Sequence, residues 1–469
     1  MVFSSSEFLF LFLPLCILLY FNPMIKSISY KNIILLIFSI IFYSFGSIKY
    51  LWVLLISIFF NYIMGLLITK KKHKNILLIV DILANLLIFS YFKINVSVGS
   101  NYGSKLLPVV GPLGISFITF QEISYIIDLY RGIIPVQKNV IKYSLYISFF
   151  PQLIAGPIVR YNDIYSSLNN RKITKNDISI GIHDFVIGLF KKCVFADILC
   201  RPALNILDVA ATSYFSAWLG AILLALQLYY DFSGYSNMAI GLGRIFGFKF
   251  KKNFDYPYSS CSVNEYWKRW NISLGNWFND YLLYPIMNSK LYKKCIQILS
   301  KKINKKFAFK LCNSLALLIC WIFVGLWHGI GLNFLFLGIY YFIFLFIEKE
   351  FKFPKKRNKF SNIYTLIIVC IGTVIFFSYN DTGFTFLKSM FINKKIIDGR
   401  FWLIIKNYYL YIILAMLFSF PIVNYIKKML KKYNKMYNII SSTYILILFI
   451  VSIYFMIING KTTFLYFNF

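Results

Sequence analysis

The chain has 469 residues, of which 59% are hydrophobic, 20% aromatic and only 14% charged. Soluble domains carry about 25% charged residues, so this apolar excess cannot be hidden in one soluble core and must face lipid. The net charge of +33 does not indicate nucleic acid. Lys and Arg fall mostly in loops between apolar runs, which is the pattern that orients membrane proteins.

A membrane-crossing helix needs about 20 mostly apolar residues. Runs of this kind occupy 8–21, 33–45, 51–69 and 76–92 in the first part of the chain. In the last part they occupy 311–327, 332–347, 363–379, 408–426 and 439–458. The middle adds about three or four weaker ones, for roughly eleven to thirteen spans or half-spans. The sequence therefore predicts an all-α polytopic membrane protein. Residues 1–7 contain no Lys or Arg and no Ala-x-Ala site follows, so the first run reads as a retained span rather than a cleaved signal peptide. The basic loops 70–74, 171–175, 290–310, 349–359 and 427–435 are expected on the cytoplasmic side, against anionic headgroups. Segments 47–49 and 380–398 and both termini are then expected outside.

The organisation reads as a single domain over 1–469. Plain apolar helices form a wall over 1–100 and again over 350–469, around a motif-bearing core at 105–345. Within about 105–285, Gly, Pro and polar residues interrupt the apolar pattern, as in Pro151-Gln-Leu-Ile-Ala-Gly-Pro157. Irregular backbone at membrane depth survives only inside protein or around a water-filled cavity, so this stretch is expected to be buried and to line one. The eight cysteines form no Cys-x-x-Cys pair and sit mostly in apolar runs. This argues against a disulfide framework or a zinc site, and no metal-ligand pattern of His, Cys or Glu appears.

Three constellations carry candidate chemistry. The stretch Gln227-Leu-Tyr-Tyr-Asp-Phe-Ser-Gly-Tyr-Ser236 places Asp231 and Ser233 beside a helix-breaking Ser-Gly and suggests a polar re-entrant turn; Gly241 and Gly243 beyond it permit close helix packing. The stretch Asn264-Glu-Tyr-Trp-Lys-Arg-Trp-Asn-Ile-Ser273 and its continuation to Tyr281 reads as a helix with Trp267, Trp270, Leu274 and Trp277 near one face. An interfacial aromatic belt explains the Trp residues, but not the density of Glu265, Arg269, Asn271 and Asp280. The third is Cys320-Trp-Ile-Phe-Val-Gly-Leu-Trp-His-Gly329. Of the three histidines, His73 lies in a basic loop and His183 in an amphipathic stretch, whereas His328 lies in an apolar run. Burial favours the neutral imidazole that a general base needs. The residues alone leave open whether His328 is catalytic or a core histidine bonded to a carbonyl.

Taken in order along the chain, these pieces resemble the membrane-bound O-acyltransferase family, and within it the bacterial alginate O-acetylation branch. The resemblance runs from Met1-Val-Phe-Ser-Ser5 through Gly114-Ile-Ser-Phe117, Tyr125-Ile-Ile-Asp-Leu-Tyr-Arg-Gly132 and Leu153-Ile-Ala-Gly-Pro157. It continues through Asp231-Phe-Ser-Gly-Tyr-Ser236, Trp267–Tyr281 and Gly325-Leu-Trp-His-Gly329, to about residue 345. It implies a ring of membrane helices around a central funnel, in a multi-pass protein of the bacterial cell membrane. It implies that His328 is catalytic, with Asn271 as its partner, and that Trp327, Gly329, Asp231, Ser233, Tyr235, Glu265, Trp267, Arg269, Trp277 and Asp280 contact substrate. The implied donor is acetyl-CoA or an acyl carrier protein thioester, with no bound cofactor. The implied partners are a cell-surface polysaccharide acceptor, an exported or membrane-anchored polysaccharide O-acetyltransferase, and the lipid bilayer. One departure stands out: the bacterial branch usually carries His where this chain has Asn271, in Trp267-Lys-Arg-Trp-Asn-Ile-Ser273. Eukaryotic relatives commonly carry Asn there, so an active His-Asn site, weakened activity and an altered acceptor all remain open. D-alanyl transfer to teichoic acid, a non-catalytic scaffold and a transporter are the competing functions. Transporters usually show two matched halves, and no such repeat is visible.

Overall fold

Apolar runs punctuated by short polar caps dictate an architecture made of helices. The computed structural model describes residues 1–70, 73–102, 111–154, 156–208, 213–354, 356–378, 381–430, 434–460 and 464. Among the described residues every regular element is helical. The order is α1 (Leu13–Tyr20, extended backwards by a wide turn Phe8–Phe12), α2 (Ile28–Ser47), α3 (Leu51–Ile68), α4 (Lys74–Tyr102), α5 (Ile115–Tyr130), α6 (Val140–Ser148), α7 (Tyr161–Asn169) and α8 (Lys175–Phe190). There follow α9 (Asp197–Asp208), α10 (Tyr214–Ile245), α11 (Val263–Arg269), α12 (Ile272–Phe278), α13 (Tyr284–Asn288), α14 (Lys290–Ser300), α15 (Lys305–His328) and α16 (Leu332–Phe351). The chain closes with α17 (Lys359–Phe377), α18 (Asp381–Ser389), α19 (Gly399–Phe418), α20 (Ile422–Leu430) and α21 (Asn434–Asn459).

Eight stretches among the described residues are long and apolar enough to cross a membrane, and Phe8–Tyr20 is a shorter apolar helix. The expected spans recur with shifted ends. The run read at 408–426 is instead α19, which starts at Gly399 and stops at Phe418. Asp398 explains the start, because its carboxylate accepts the Phe401 N–H at 2.9 Å and so caps the first turn. Pro421 explains the stop, since it has no N–H to donate to the Leu417 carbonyl and the helical ladder cannot run through it. Interior and wall helices separate by burial. In α10, 78% of the apolar window is buried, against 17% in Lys74–Val96, Gly399–Phe418 and Ile440–Asn459; apolar side chains on those three helices face outward, as lipid contact requires.

The described residues gather into two compact units. One comprises Met1–Cys193, Phe232–Lys252 and Ile445–Phe469. Its centre is aromatic: Phe3 stacks on Tyr235 at 4.7 Å, and Phe8, Phe12 and Phe42 pack around Phe150. Arg171 ties its periphery together. Its Nε donates to Tyr20 Oη at 2.8 Å and its guanidinium to Asn32 Oδ1 at 2.7 Å. Tyr20 Oη in turn donates to the Phe246 carbonyl. Gly114 opens α5 at φ +68, where a Cβ would sit 2.1 Å from the Leu153 carbonyl oxygen, so only glycine fits this left-handed position.

The Asp231-Phe-Ser-Gly stretch corrects an expectation. It is no re-entrant turn, because α10 runs through it unbroken. A Cβ on Gly234 would meet the Gly188 carbonyl at 2.9 Å, and one on Gly241 the Gly181 carbonyl at 2.4 Å. These glycines let α8 and α10 approach at backbone distance, a packing device of membrane helices, rather than break the helix.

The other unit comprises Val194–Asp231 and Asn253–Tyr444. Its main element is the α15–α16 hairpin, whose backbones touch at Gly325 and Gly338. A Cβ at Gly325 would lie 2.2 Å from the Phe334 carbonyl oxygen, and one at Gly338 2.4 Å from that of Trp321. Further pins come from Trp218 Nε1 to the Met390 carbonyl, Tyr230 Oη to the Ala415 carbonyl and Ser216 Oγ to Asp398 Oδ1.

Candidate active site

The segment from Asn253 to Phe278 builds the site. The single helix expected across it is broken in two. α11 ends at Arg269, Trp270 is extended, and Asn271 adopts the left-handed conformation at φ 43, ψ 55 before α12 begins. Asn is among the few residues with a side chain that visit this region readily. Asn253, fully buried, fixes the break. Its carbonyl accepts the Ile272 N–H, its Oδ1 accepts the Ser273 N–H at 3.0 Å, and its Nδ2 donates to Asn271 Oδ1 at 3.2 Å. One residue thus satisfies two of the N–H groups that a helix start leaves without partners and aligns the Asn271 amide.

α11 is held at both ends. Ser262 Oγ caps it by accepting the Glu265 N–H at 3.0 Å. Glu348, from the far end of α16, presents both carboxylate oxygens to its first turn, accepting the Val263 N–H at 2.6 Å and the Asn264 N–H at 2.9 Å. A carboxylate is favoured where helix N–H groups converge. Along the same helix, Glu265 accepts from Arg269 and from Arg357, each at 2.7 Å, and from the Cys261 N–H at 3.0 Å. Burial works against that carboxylate, but these donors outweigh it and hold its pKa below the ordinary glutamate value. Arg269 also donates to the Asp255 carbonyl and to Ser259 Oγ.

α11, α12, α15 and α16 enclose a cavity of about 570 Å³. Trp267, Asn271, Leu274 and Phe278 line one side, Leu317, Cys320, Trp321 and Val324 of α15 another, and Glu348 closes it. Trp267 packs edge-on against Trp321 at 4.9 Å and Tyr341 at 4.8 Å. Its buried Nε1–H has no partner among the described residues. The Asn271 amide is anchored through its oxygen, and its Nδ2 donates to no described residue. Two donors, an indole N–H and an amide, are therefore left to the cavity. Three exposed lysines, Lys268, Lys349 and Lys352, also line it.

His328 is the last residue of α15. It is not among the cavity-lining residues, but it continues their stripe. Positions 317, 320/321 and 324 line the cavity, and His328 follows Val324 by four residues, on the same face and ~6 Å further along the axis. The ring is half-buried against Trp327 at 4.4 Å, Phe376 at 5.1 Å and Phe334 at 6.0 Å. Gly329 is extended, and its place is sterically exact in that a Cβ would meet the Phe334 ring at 2.5 Å.

Of the other residues singled out from sequence, Trp267 and Asn271 line the cavity, while Glu265 and Arg269 brace the helix behind it. Trp277 is buried against Phe278 and Tyr281, and Asp280 is half-buried just beyond α12. Asp231, Ser233 and Tyr235 are buried within α10 and are not among the lining residues. Ser233 Oγ accepts from Lys191 at 3.4 Å and Tyr235 stacks on Phe3. Sequence reasoning missed Asn253, Glu348 and the three lysines. Glu348 had a readable signal, an acid at the end of an otherwise apolar span.

Among the described residues the chain is a helical membrane protein with a polar cavity beside a histidine-bearing hairpin, the class of integral membrane proteins with an internal site. Comparison with known proteins specifies it: the family model for MBOAT, the membrane-bound O-acyltransferase family, matches residues 35–391. The chain is 37% identical over 399 residues to the "Probable alginate O-acetylase AlgI" of Pseudomonas putida, covering 81% of this chain and 78% of the relative. It is 30% identical over 400 residues to the "Peptidoglycan O-acetyltransferase" of Helicobacter pylori, covering 77% and 73%. To the "Teichoic acid D-alanyltransferase" of Bacillus subtilis it is 28% identical over 285 residues, covering 56% and 68%. The chain belongs to the membrane-bound O-acyltransferase family and is an O-acyltransferase, a multi-pass protein of the cell membrane.

Proposed function

We propose that this enzyme moves an acetyl group from a cytosolic thioester donor toward a cell-surface polysaccharide, or to an exported O-acetyltransferase that completes the transfer, with His328 as the general base. The observation that carries this reading is the cavity: one wall presents the Asn271 amide and the other leads along α15 to His328. His328 takes the proton of the acceptor hydroxyl as its oxygen attacks the thioester carbonyl. The negative end of the α15 dipole favours the positive charge that forms on the ring. The carbonyl oxygen becomes an oxyanion, to which Asn271 Nδ2 donates; one such donor is worth about 2.7–4 kcal/mol. The intermediate collapses, the carbon–sulfur bond breaks, and the leaving thiolate takes the proton back from His328.

Lys268, Lys349 and Lys352 support an anionic donor, because phosphate groups of acetyl-CoA or of a carrier protein's phosphopantetheine arm would meet three ammonium groups there. Acetyl is favoured over D-alanyl by the relatives: the two O-acetyl-transferring proteins align with 77–81% of this chain, and the D-alanyltransferase with 56%. The test is the acetyl-ester content of the cell-surface polymer in cells carrying the wild type, His328→Ala, Asn271→Ala or no protein. Esters should disappear with His328→Ala at equal membrane abundance. Esters unchanged in every strain would overturn the acetylation reading and turn the assay to D-alanyl esters.

A further inference from the structure

Helices α3, α4, α5 and α6 of the first unit contain a second polar site. At its centre Ser57 Oγ of α3 donates to Glu122 Oε2 of α5 at 2.6 Å. Beside it Asn61 and Asn85 exchange amide bonds at 3.2 and 2.9 Å, and Asn85 Nδ2 donates to Asp81 Oδ1 of α4 at 3.0 Å. Asp81 and Glu122 are both fully buried. Each carboxyl has one oxygen engaged and the other, Asp81 Oδ2 or Glu122 Oε1, buried with no partner among the described residues. Tyr143 Oη, from α6, is buried and likewise unpartnered, and it lies within electrostatic reach of both acids. Neither acid bonds a Lys or Arg among the described residues.

Two neighbouring carboxylates without a counter-charge are prohibitively costly at this depth. A carboxylic acid, by contrast, carries no charge to desolvate, and its O–H sits on the oxygen that accepts no bond. The site is shallow from the basic end of the helices. Asp81 is ~10 Å from the start of α4 at Lys74, and Glu122 is ~12 Å from the end of α5 at Tyr130. Toward that end the Tyr143 ring lies 5.0 Å from Tyr125, Tyr125 5.1 Å from Tyr161, and Tyr161 5.5 Å from the exposed Tyr165. Gln137 bridges the hydroxyls: its N–H donates to Tyr125 Oη and its Nε2 to Tyr161 Oη. Tyr62 covers the other side of Tyr143 at 5.8 Å. Tyr146 lies 6.3 Å from both Tyr143 and Tyr125, so among the described residues the titratable groups around the pair are these tyrosines and each acid toward the other.

We propose that Asp81 and Glu122 form an intramembrane proton-binding site, two carboxylic acids that hold protons at neutral pH and exchange them with the basic end of the helices past the hydroxyls of Tyr143, Tyr125 and Tyr161. Transfer of an acyl group from a thioester to a hydroxyl is proton-neutral overall, so the acyl chemistry described above closes its proton balance at His328 without this site. The experiment is infrared spectroscopy of the full chain in lipid nanodiscs at neutral pH, in H₂O and D₂O. The expected result is protonated-carboxyl bands that shift in D₂O, one lost in Glu122→Gln and one in Asp81→Asn, and unmoved by added Na⁺ or Ca²⁺. Tyr143→Phe should keep the bands and slow their shift in D₂O several-fold. Wild-type protein with no protonated-carboxyl band overturns the proposal without any variant. Bands replaced by carboxylate signals on adding either cation would make this a metal-ion site, and bands that do not shift in D₂O would mean sealed acids; both also overturn it.

Discussion

Glu348 and Glu122 are both buried glutamates, one near the end of α16 beside the cavity and one inside α5, and the fold treats them differently. Both oxygens of Glu348 are spent on the N–H groups that open α11. Glu122 has one oxygen held by Ser57 and one left over. The first is an architectural cap: it joins α16 to the segment that carries Asn271. The second does not complete any backbone, so its removal should not release one. A buried acid is thus read by what its second oxygen does, not by its burial.

The largest expected effect concerns the segment that Glu348 supports. Asn271→Gly retains the left-handed backbone, which glycine adopts freely, and removes the amide together with the bond it accepts from Asn253 Nδ2. Acyl-transfer rate per folded molecule should fall about 10²–10³-fold, beyond the about 1–3 kcal/mol of stability that the orphaned Asn253 donor costs, measured on purified protein with a thioester donor. If the rate is unaffected, the amide does not face the reacting carbonyl. A loss of folded protein that accounts for the whole fall in rate would instead make Asn271 a purely conformational residue.

The comparison itself is tested next. Glu348→Gln keeps one acceptor and turns the other into a donor facing an N–H. It should cost about 1–3 kcal/mol, read as a lower unfolding midpoint in detergent. Glu122→Gln should leave the midpoint nearly unchanged, because Ser57 can still donate to its amide oxygen and no backbone group loses a partner. Equal destabilisation in the two variants would erase the distinction between cap and site.

These roles were unequally legible in the sequence. The spans, the helical class and the motif order could be read because hydropathy and local spacing encode them. The break at Asn271 could not, because it is set by Asn253, 18 residues away, and Glu348 meets its helix across 85 residues. Ser-Gly at 233–234 read locally as a breaker, but the backbone of α8 makes glycine the right residue for an unbroken helix. The acid pair was not legible because Asp81 lies in the apolar run 76–92, which reads as plain wall, and Glu122 in a separate stretch of the core. Asp81 and Glu122 become a pair only once α4 and α5 are packed.

A smaller effect is expected at the lysines around the cavity. Alanine at Lys268, Lys349 or Lys352 should raise KM for an anionic donor several-fold each and leave kcat nearly constant, since an exposed ammonium contributes modestly and is screened by salt. The rise should shrink at high ionic strength. A KM indifferent to all three substitutions would remove the donor's phosphates from this part of the cavity.

The smallest effect lies at Glu265, on the same helix that Glu348 caps. Its folded pKa is depressed, so its stabilising contribution is complete above the ordinary glutamate value and is lost as pH falls through the folded value. Stability curves of wild type and Glu265→Gln should therefore converge on the acid side and separate toward neutrality. The two arginine partners should not count equally. Arg357 is 70% exposed at its side chain and makes one bond to Glu265, the kind of pair that is worth little in water. Arg269 is 27% exposed and also holds the Asp255 carbonyl and Ser259 Oγ. Arg269→Ala should thus lower the unfolding midpoint measurably where Arg357→Ala barely moves it. The reverse order would mean that the helix is braced from the α17 side, and Glu348 would no longer be its principal anchor.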